Sequence, residues 1–90
     1  MVKNSWAAML RGAMVVHGDE LEDLVDCVPA IDSPDMQGEF NTGYGSTEGC
    51  AFTAWTDERV YFPVQYDGAE WVESVPRHPD GTATGHVGGG

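Results

Sequence analysis

CAFTAWTDERVYFPVQYDGAEWVESVPR, residues 50–77, decides the fold. Within it CAFTAWT, RVYFPVQY and AEWVESV are rich in β-branched and aromatic residues and are separated by short polar breaks, so they read as three strands. Asp67-Gly68, between Tyr66 and Ala69, is a two-residue hairpin turn, because both central positions must take positive φ. That turn sets the register: Tyr66 opposite Ala69, Val64 opposite Trp71, Phe62 opposite Glu73 and Val60 opposite Val75. One face is then Val60, Phe62, Val64, Tyr66, Trp71 and Val75, and it is the face expected to receive a helical layer. Glu73 breaks its apolar pattern and marks a bulge or a sheet edge. The other face (Tyr61, Gln65, Glu70, Val72, Ser74) is half apolar. Pro63 cannot donate to a ladder, so its strand requires either a bulge or a neighbour that ends before it.

Upstream, the pattern changes from period 2 to period 3.6. Asn4 or Ser5 is placed to cap a helix, and Trp6, Met9, Leu10, Ala13, Met14 and His17 then share one helical face. Gly18 ends it. A second helix is expected from Asp19 to Pro29, with Asp19 as N-cap, acids in the first turn and a buried stripe of Leu21, Leu24, Val25 and Val28. The two also read as one helix kinked at Gly18, and Ala13 to His17 as a short strand favoured by Val15-Val16. Residues 30–49 form a long connection with little periodicity, in which Glu39 to Tyr44 adds a short edge strand. The expected fold is α+β: N-terminal helical segments packed on a three- to four-stranded antiparallel β-meander.

Ninety residues make one domain. Residues 1–77 are read as globular and 78–90, HPDGTATGHVGGG, as a flexible Gly-rich tail. Three Trp, three Tyr and three Phe are too many aromatics for a disordered acidic segment. No apolar run is long enough to span a bilayer and no signal peptide is legible, so a cytoplasmic location is expected. Cys27 and Cys50 then read as two small buried residues rather than a disulfide. With His17, His78 and His86 they show no Cys-x-x-Cys or His-x-x-x-His spacing, so neither metal nor cofactor is expected. The chain has no G-x-S-x-G, P-loop, G-x-G-x-x-G or H-E-x-x-H signature. Carboxylates are abundant enough to approach one another by chance, but a catalytic pair needs a cleft that separates their pKa values. An enzyme is not expected.

The charge is regional. Eleven acids lie between Gly12 and Glu58 with no Lys or Arg among them, whereas the four acids and four bases outside this window cancel, so the whole net charge of −11 sits in one block. Such a block repels itself, and its natural partner is a basic surface, of the kind that holds nucleic acid. On the expected second helix Asp19, Glu22, Asp23 and Asp26 fall on one face about 5–6 Å apart, comparable to successive phosphates. Trp55 and Tyr61 flank the Asp57-Glu58 turn and are expected to be exposed beside it, as aromatic anchors. The candidate partner-binding residues are therefore Asp19, Glu22, Asp23, Asp26, Trp55, Asp57, Glu58 and Tyr61.

DELEDLVD followed by the tight meander AFTAWTDERVYFPVQYDGAEWV, in one small acidic domain, resembles small phage-encoded anti-CRISPR proteins and the wider class of DNA-mimic inhibitors. The resemblance is to a class that shares size, acidity and a bind-and-block mechanism rather than a sequence motif. It implies a protein that binds and blocks a basic surface of a nucleic-acid-binding complex, with a Cas effector as the suspected partner and no direct contact with nucleic acid or membrane. Two other classes fit the same residues. An acidic immunity protein or antitoxin would aim this face at a basic toxin. Gly88-Gly89-Gly90 suggests a ubiquitin-like or sulfur-carrier protein, although such folds open with a β-hairpin and this chain opens with a helical pattern.

Overall fold

The computed structural model describes residues 3–43 and 48–88. Its elements are β1 (Lys3–Ser5), α1 (Trp6–Val16), β2 (Asp26–Val28), α2 (Pro34–Gln37), β3 (Glu39–Asn41), β4 (Thr53–Trp55), β5 (Arg59–Tyr66) and β6 (Ala69–Pro76). The fold is α+β and antiparallel, with one main helix. β1 and β3 form a two-stranded sheet, and β2, β4, β5 and β6 form a four-stranded sheet in that order.

The hairpin has the register its turn dictates. Tyr66 faces Ala69, Val64 faces Trp71, Phe62 faces Glu73 and Val60 faces Val75. Asp67 and Gly68 both take positive φ, 51° and 82°, as a primed turn demands. Hydrogen-bonded and non-bonded pairs alternate outward from Tyr66–Ala69, so the Pro63 nitrogen points away from β6. On that side β4 begins at Thr53 and meets β5 only through Ala54–Tyr61 and Trp55–Val60. The neighbouring strand thus stops short of Pro63, and no ladder bond is lost there.

The helix packs on the opposite face from the one the apolar pattern favoured. The row Cys27–Ala54–Tyr61–Ser74 crosses all four strands on the inner side, and its first three members are buried. Against this side lie Trp6, Leu10 and Met14 of α1, all at most 1% exposed. The outer row is Asp26–Trp55–Val60–Val75, exposed at Asp26 and half-buried at the other three. The polar residues on the inner face are satisfied by loops. Glu70, 5% exposed, accepts the backbone N–H groups of Glu48 (2.9 Å) and Gly49 (3.0 Å), and its own N–H donates to Thr42 O at 3.0 Å. Polar character therefore does not mark the solvent side of this sheet.

Ser5 accepts the Ala8 N–H and caps α1, which runs through Gly12 to a C-cap at His17. The expected second helix is absent. Leu21–Asp23 makes a single 3-10 turn, and Asp26–Val28 becomes β2. A helix there would set Asp19 against Asp23 and Glu22 against Asp26, both repulsive i,i+4 pairs, and Pro29 disfavours the helical conformation at Val28. Pairing with β4 instead buries Cys27. Leu21, Val25 and Val28, which the helical reading buried, are 42%, 56% and 58% exposed. Residues 30–38 hold a short α2, capped by Ser33 and anchored by the buried Met36. The edge strand expected over Glu39 to Tyr44 is β3, Glu39–Asn41, paired with β1; Tyr44 lies outside the described residues, as do Gly89 and Gly90.

Residues 77–88 have no regular secondary structure. Pro79–Thr84 and Val75-Pro76 line a common open cleft of about 580 Å³. Further on, Gly88 lies against Gln65 O and the Val64 side chain. Among the described residues no helix is long and apolar enough to cross a membrane.

Candidate functional site

The acidic segment is held beside the β4–β5 turn by strand pairing. Val25 N–H donates to Trp55 O at 2.7 Å, and Asp26 faces Trp55 across the β2–β4 ladder. The segments 19–26 and 55–58 are thus tied together at Val25–Trp55 and at Asp19–Thr56, and the exposed Glu22, Asp23, Asp26, Asp57 and Glu58 that they carry, with the half-buried Trp55, make up an acidic and aromatic edge. Two of these carboxylates also order their own backbone: Asp23 accepts Glu20 N–H and Asp26 accepts Cys27 N–H, both at 2.8 Å.

Asp19 and Tyr61 are not part of that edge. Both are buried, and the reason is a shared hydrogen bond. Asp19 Oδ2 accepts the Tyr61 hydroxyl at 2.7 Å and the Thr56 hydroxyl at 3.1 Å. Thr56 Oγ1 in turn accepts the backbone N–H groups of Arg59 (3.0 Å) and Glu58 (3.3 Å), while Arg77 Nη1 donates to Thr56 O at 3.0 Å. This knot fixes the conformation from which Asp57 and Glu58 project. It also uses Arg77, and Arg59 is taken up by Ser74 Oγ (2.7 Å) and Ser74 O (3.2 Å). The acids of the edge are left without a basic partner among the described residues.

Burial raises the Tyr61 phenol well above its ordinary pKa, and its bond to the Asp19 carboxylate and that group's charge raise it further, against a smaller opposing pull from Arg59. Tyr61 is therefore a permanent donor at neutral pH, which suits a structural role. The sign of its pH dependence follows. Below about pH 10, the ordinary phenol value, both folded and unfolded chains keep the proton and the full contribution is present. Above that, the unfolded chain ionises first, so stability should fall by about 1.4 kcal/mol per pH unit from this group. Urea midpoints between pH 9 and 11 should show this fall, and Tyr61→Phe should flatten it; an equal slope in that variant would place the titration elsewhere.

No protein-family model, curated protein or solved structure matches the chain.

The remaining clusters are limited in what they can do. A groove of about 460 Å³ beside the knot is lined by His17, Asp19, Glu58, Arg59, His78 and Asp80 among others. Among the described residues no three His, Cys, Asp or Glu side chains are placed to hold a metal ion. Cys27 and Cys50 are free thiols. Burial pushes both above the usual thiol value, with Asp26 adding to the shift at Cys27 and Asp35 at Cys50, so neither is poised as a nucleophile.

The carboxylate row expected at helical spacing does not exist, since its segment is a turn followed by a strand and Asp19 faces inward. The surface that the sequence reading missed is the outer sheet face. One signal for it was present: Glu73, an acid in an otherwise apolar row, where it accepts Trp71 Nε1–H at 2.8 Å. Unlike Glu70 on the inner face, which loop N–H groups satisfy, Glu73 finds its partner within its own row.

Proposed function

We propose that this protein is a non-enzymatic inhibitor that binds and blocks a basic surface of a nucleic-acid-binding complex in the host cytoplasm, with an anti-CRISPR protein occluding a CRISPR effector as the leading case. The observation that carries this reading is the edge formed by Glu22, Asp23, Asp26, Trp55, Asp57 and Glu58. It is acidic, its carboxylates form no ion pair with Lys, Arg or His among the described residues, and it is ordered by strand pairing and by the Asp19–Thr56–Tyr61 knot beneath it. RNA-guided effectors hold their heteroduplex in a positively charged channel by its backbone, and a fixed acidic edge is complementary to such a channel. Charge of this kind steers association, and a desolvated aromatic such as Trp55 lengthens the residence time.

The test is displacement of target DNA from guide-loaded, DNA-targeting effectors in a mobility-shift assay. The protein should release the DNA. Converting Glu22, Asp23 and Asp26 together to Lys should slow association about tenfold or more and abolish the displacement. The change removes the local bonds to Glu20 N–H and Cys27 N–H, but the fold should survive, because all three side chains are exposed and none belongs to the core. A triple variant that competes as well as the parent would reduce the edge to a solvated face.

A further inference from the structure

We propose that the outer face of the four-stranded sheet is a docking surface for a basic, amphipathic segment of a partner protein, and that residues 78–88 cover it in the free protein. This rests on the reading of the protein as a binder, but it moves the energetic centre of binding from the acidic edge to the sheet.

The face carries Trp55, Val60, Phe62, Val64, Tyr66, Trp71 and Val75, by the parity of the strand register. It is richer in large apolar side chains than the face on which α1 packs, yet among the described residues no helix covers it. Tyr66 is 53% exposed, and beyond Trp55 the face runs into an open, mostly apolar cleft of about 480 Å³ lined by Val28, Pro29, Phe52 and Trp55. Contiguous apolar surface of this kind on a small acidic protein marks an interaction site, and its Trp and Tyr content is that of a binding hot spot.

The covering segment approaches this face at two places. Thr82–Thr84 line one open cleft with Val75 at one end, and Gly88 lies close against Val64 at the other. Val64 is only 7% exposed, although it points to the outer side. The segment crosses mostly with Gly, Ala and Thr, and its two larger side chains, His86 and Val87, are exposed, so it shields the face while contributing little apolar area of its own. Such a cover is readily displaced.

Charge selects the occupant. Asp26 and Glu73 lie on the face itself, Asp57, Glu58 and Asp67 lie at the turns that bound it, and Arg77 at its end is tied to Thr56 O. An apolar centre rimmed by acids fits a segment that is apolar on one side and rich in Lys or Arg around it. A second copy of the chain would bring two net charges of −11 together.

The test is an amide-resolved NMR titration of the full-length protein with two synthetic peptides of about 18 residues and equal charge, one an amphipathic Lys/Leu helix and the other Lys/Ser, at about 0.3 M NaCl to screen exposed pairs. The Lys/Leu peptide should bind about tenfold tighter or more. Its shifts should fall on Phe62, Val64, Trp71, Val75 and residues 82–88. Gly88→Val adds a side chain to a left-handed position (φ 78°) where a Cβ would already meet Gln65 O at 3.1 Å, so it should loosen the cover. This variant should bind the Lys/Leu peptide about threefold tighter or more, because the competent state is no longer taxed. Tyr66→Ser should weaken the same peptide about fivefold and leave the Lys/Ser peptide unchanged. Equal affinities, with shifts confined to Glu22–Asp26 and Asp57-Glu58, would overturn the docking face while leaving the acidic-edge reading intact. Unchanged affinity in Gly88→Val would overturn the cover, and self-association through the same residues would overturn the choice of occupant. Failure of both peptides to bind would overturn the docking face, while the acidic-edge reading stands or falls on the displacement assay.

Discussion

Replacing Trp6 by alanine is expected to cost about 3–5 kcal/mol of folding stability, the range for deleting a buried ring and leaving a cavity. Trp6 is 1% exposed at the start of α1, with ring centroids 5.0 Å from both Phe40 and Phe52. Its Nε1–H donates to Cys50 O at 2.9 Å, a bond the variant also loses. The ring is closely packed, since a Cβ on Gly49 would already lie 2.5 Å from it. A domain of this size has a total stability of roughly 5–13 kcal/mol, so the variant should be largely unfolded at modest urea concentrations. Trp71→Ala is the internal control. Trp71 lies half-buried on the outer face, and its loss should cost about 1–2 kcal/mol. A greater loss at Trp71 than at Trp6 in urea denaturation would mean that the helix packs on the other side of the sheet.

Asp19→Ala is expected to cost about 3 kcal/mol. It removes the acceptor of two buried hydroxyls, and hydrogen bonds to a charged group contribute about 1.5–3 kcal/mol each. The Tyr61 hydroxyl would be orphaned in a fully buried position. Tyr61→Phe removes the donor as well, so the double variant should lose less than the sum of the singles, with a coupling of about 1–3 kcal/mol in a double-mutant cycle. The loss should also reach the acidic edge, since Thr56 would no longer be held in the position from which it bonds Glu58 and Arg59. Stability within about 0.5 kcal/mol of the parent would show that the knot is not holding the turn.

What the sequence disclosed, and what it concealed, follow from the range of the forces involved. The β5–β6 register was legible because Asp67-Gly68 admits only one turn geometry, and the local chain then dictates every pair. The consequence of Pro63 was legible for the same reason. Ser5 and the Trp6–Met14 stripe located α1, since capping and helical periodicity are also local. The second helix was misread because its apolar spacing fits a helix, while like charges, Pro29 and the distant β4 favour a strand. The choice of face was concealed because both faces are substantially apolar, and the polar groups of the inner one are satisfied by partners remote in sequence: Asp19 for Tyr61, and Glu48 and Gly49 for Glu70. The same knot explains why Asp19 and Tyr61 fail as surface residues while Glu22, Asp23, Asp26, Trp55, Asp57 and Glu58 come together.

Glu70 has a consequence for how the chain can be varied. Its N–H binds Thr42 O, and its carboxylate binds the N–H groups of Glu48 and Gly49. One residue of β6 therefore ties Thr42, Glu48 and Gly49 together, more than twenty positions away from itself. Glu70→Gln would keep the shape of this side chain but turn one acceptor oxygen into a donor facing an N–H, so a single substitution on β6 would unfasten a contact between distant parts of the chain.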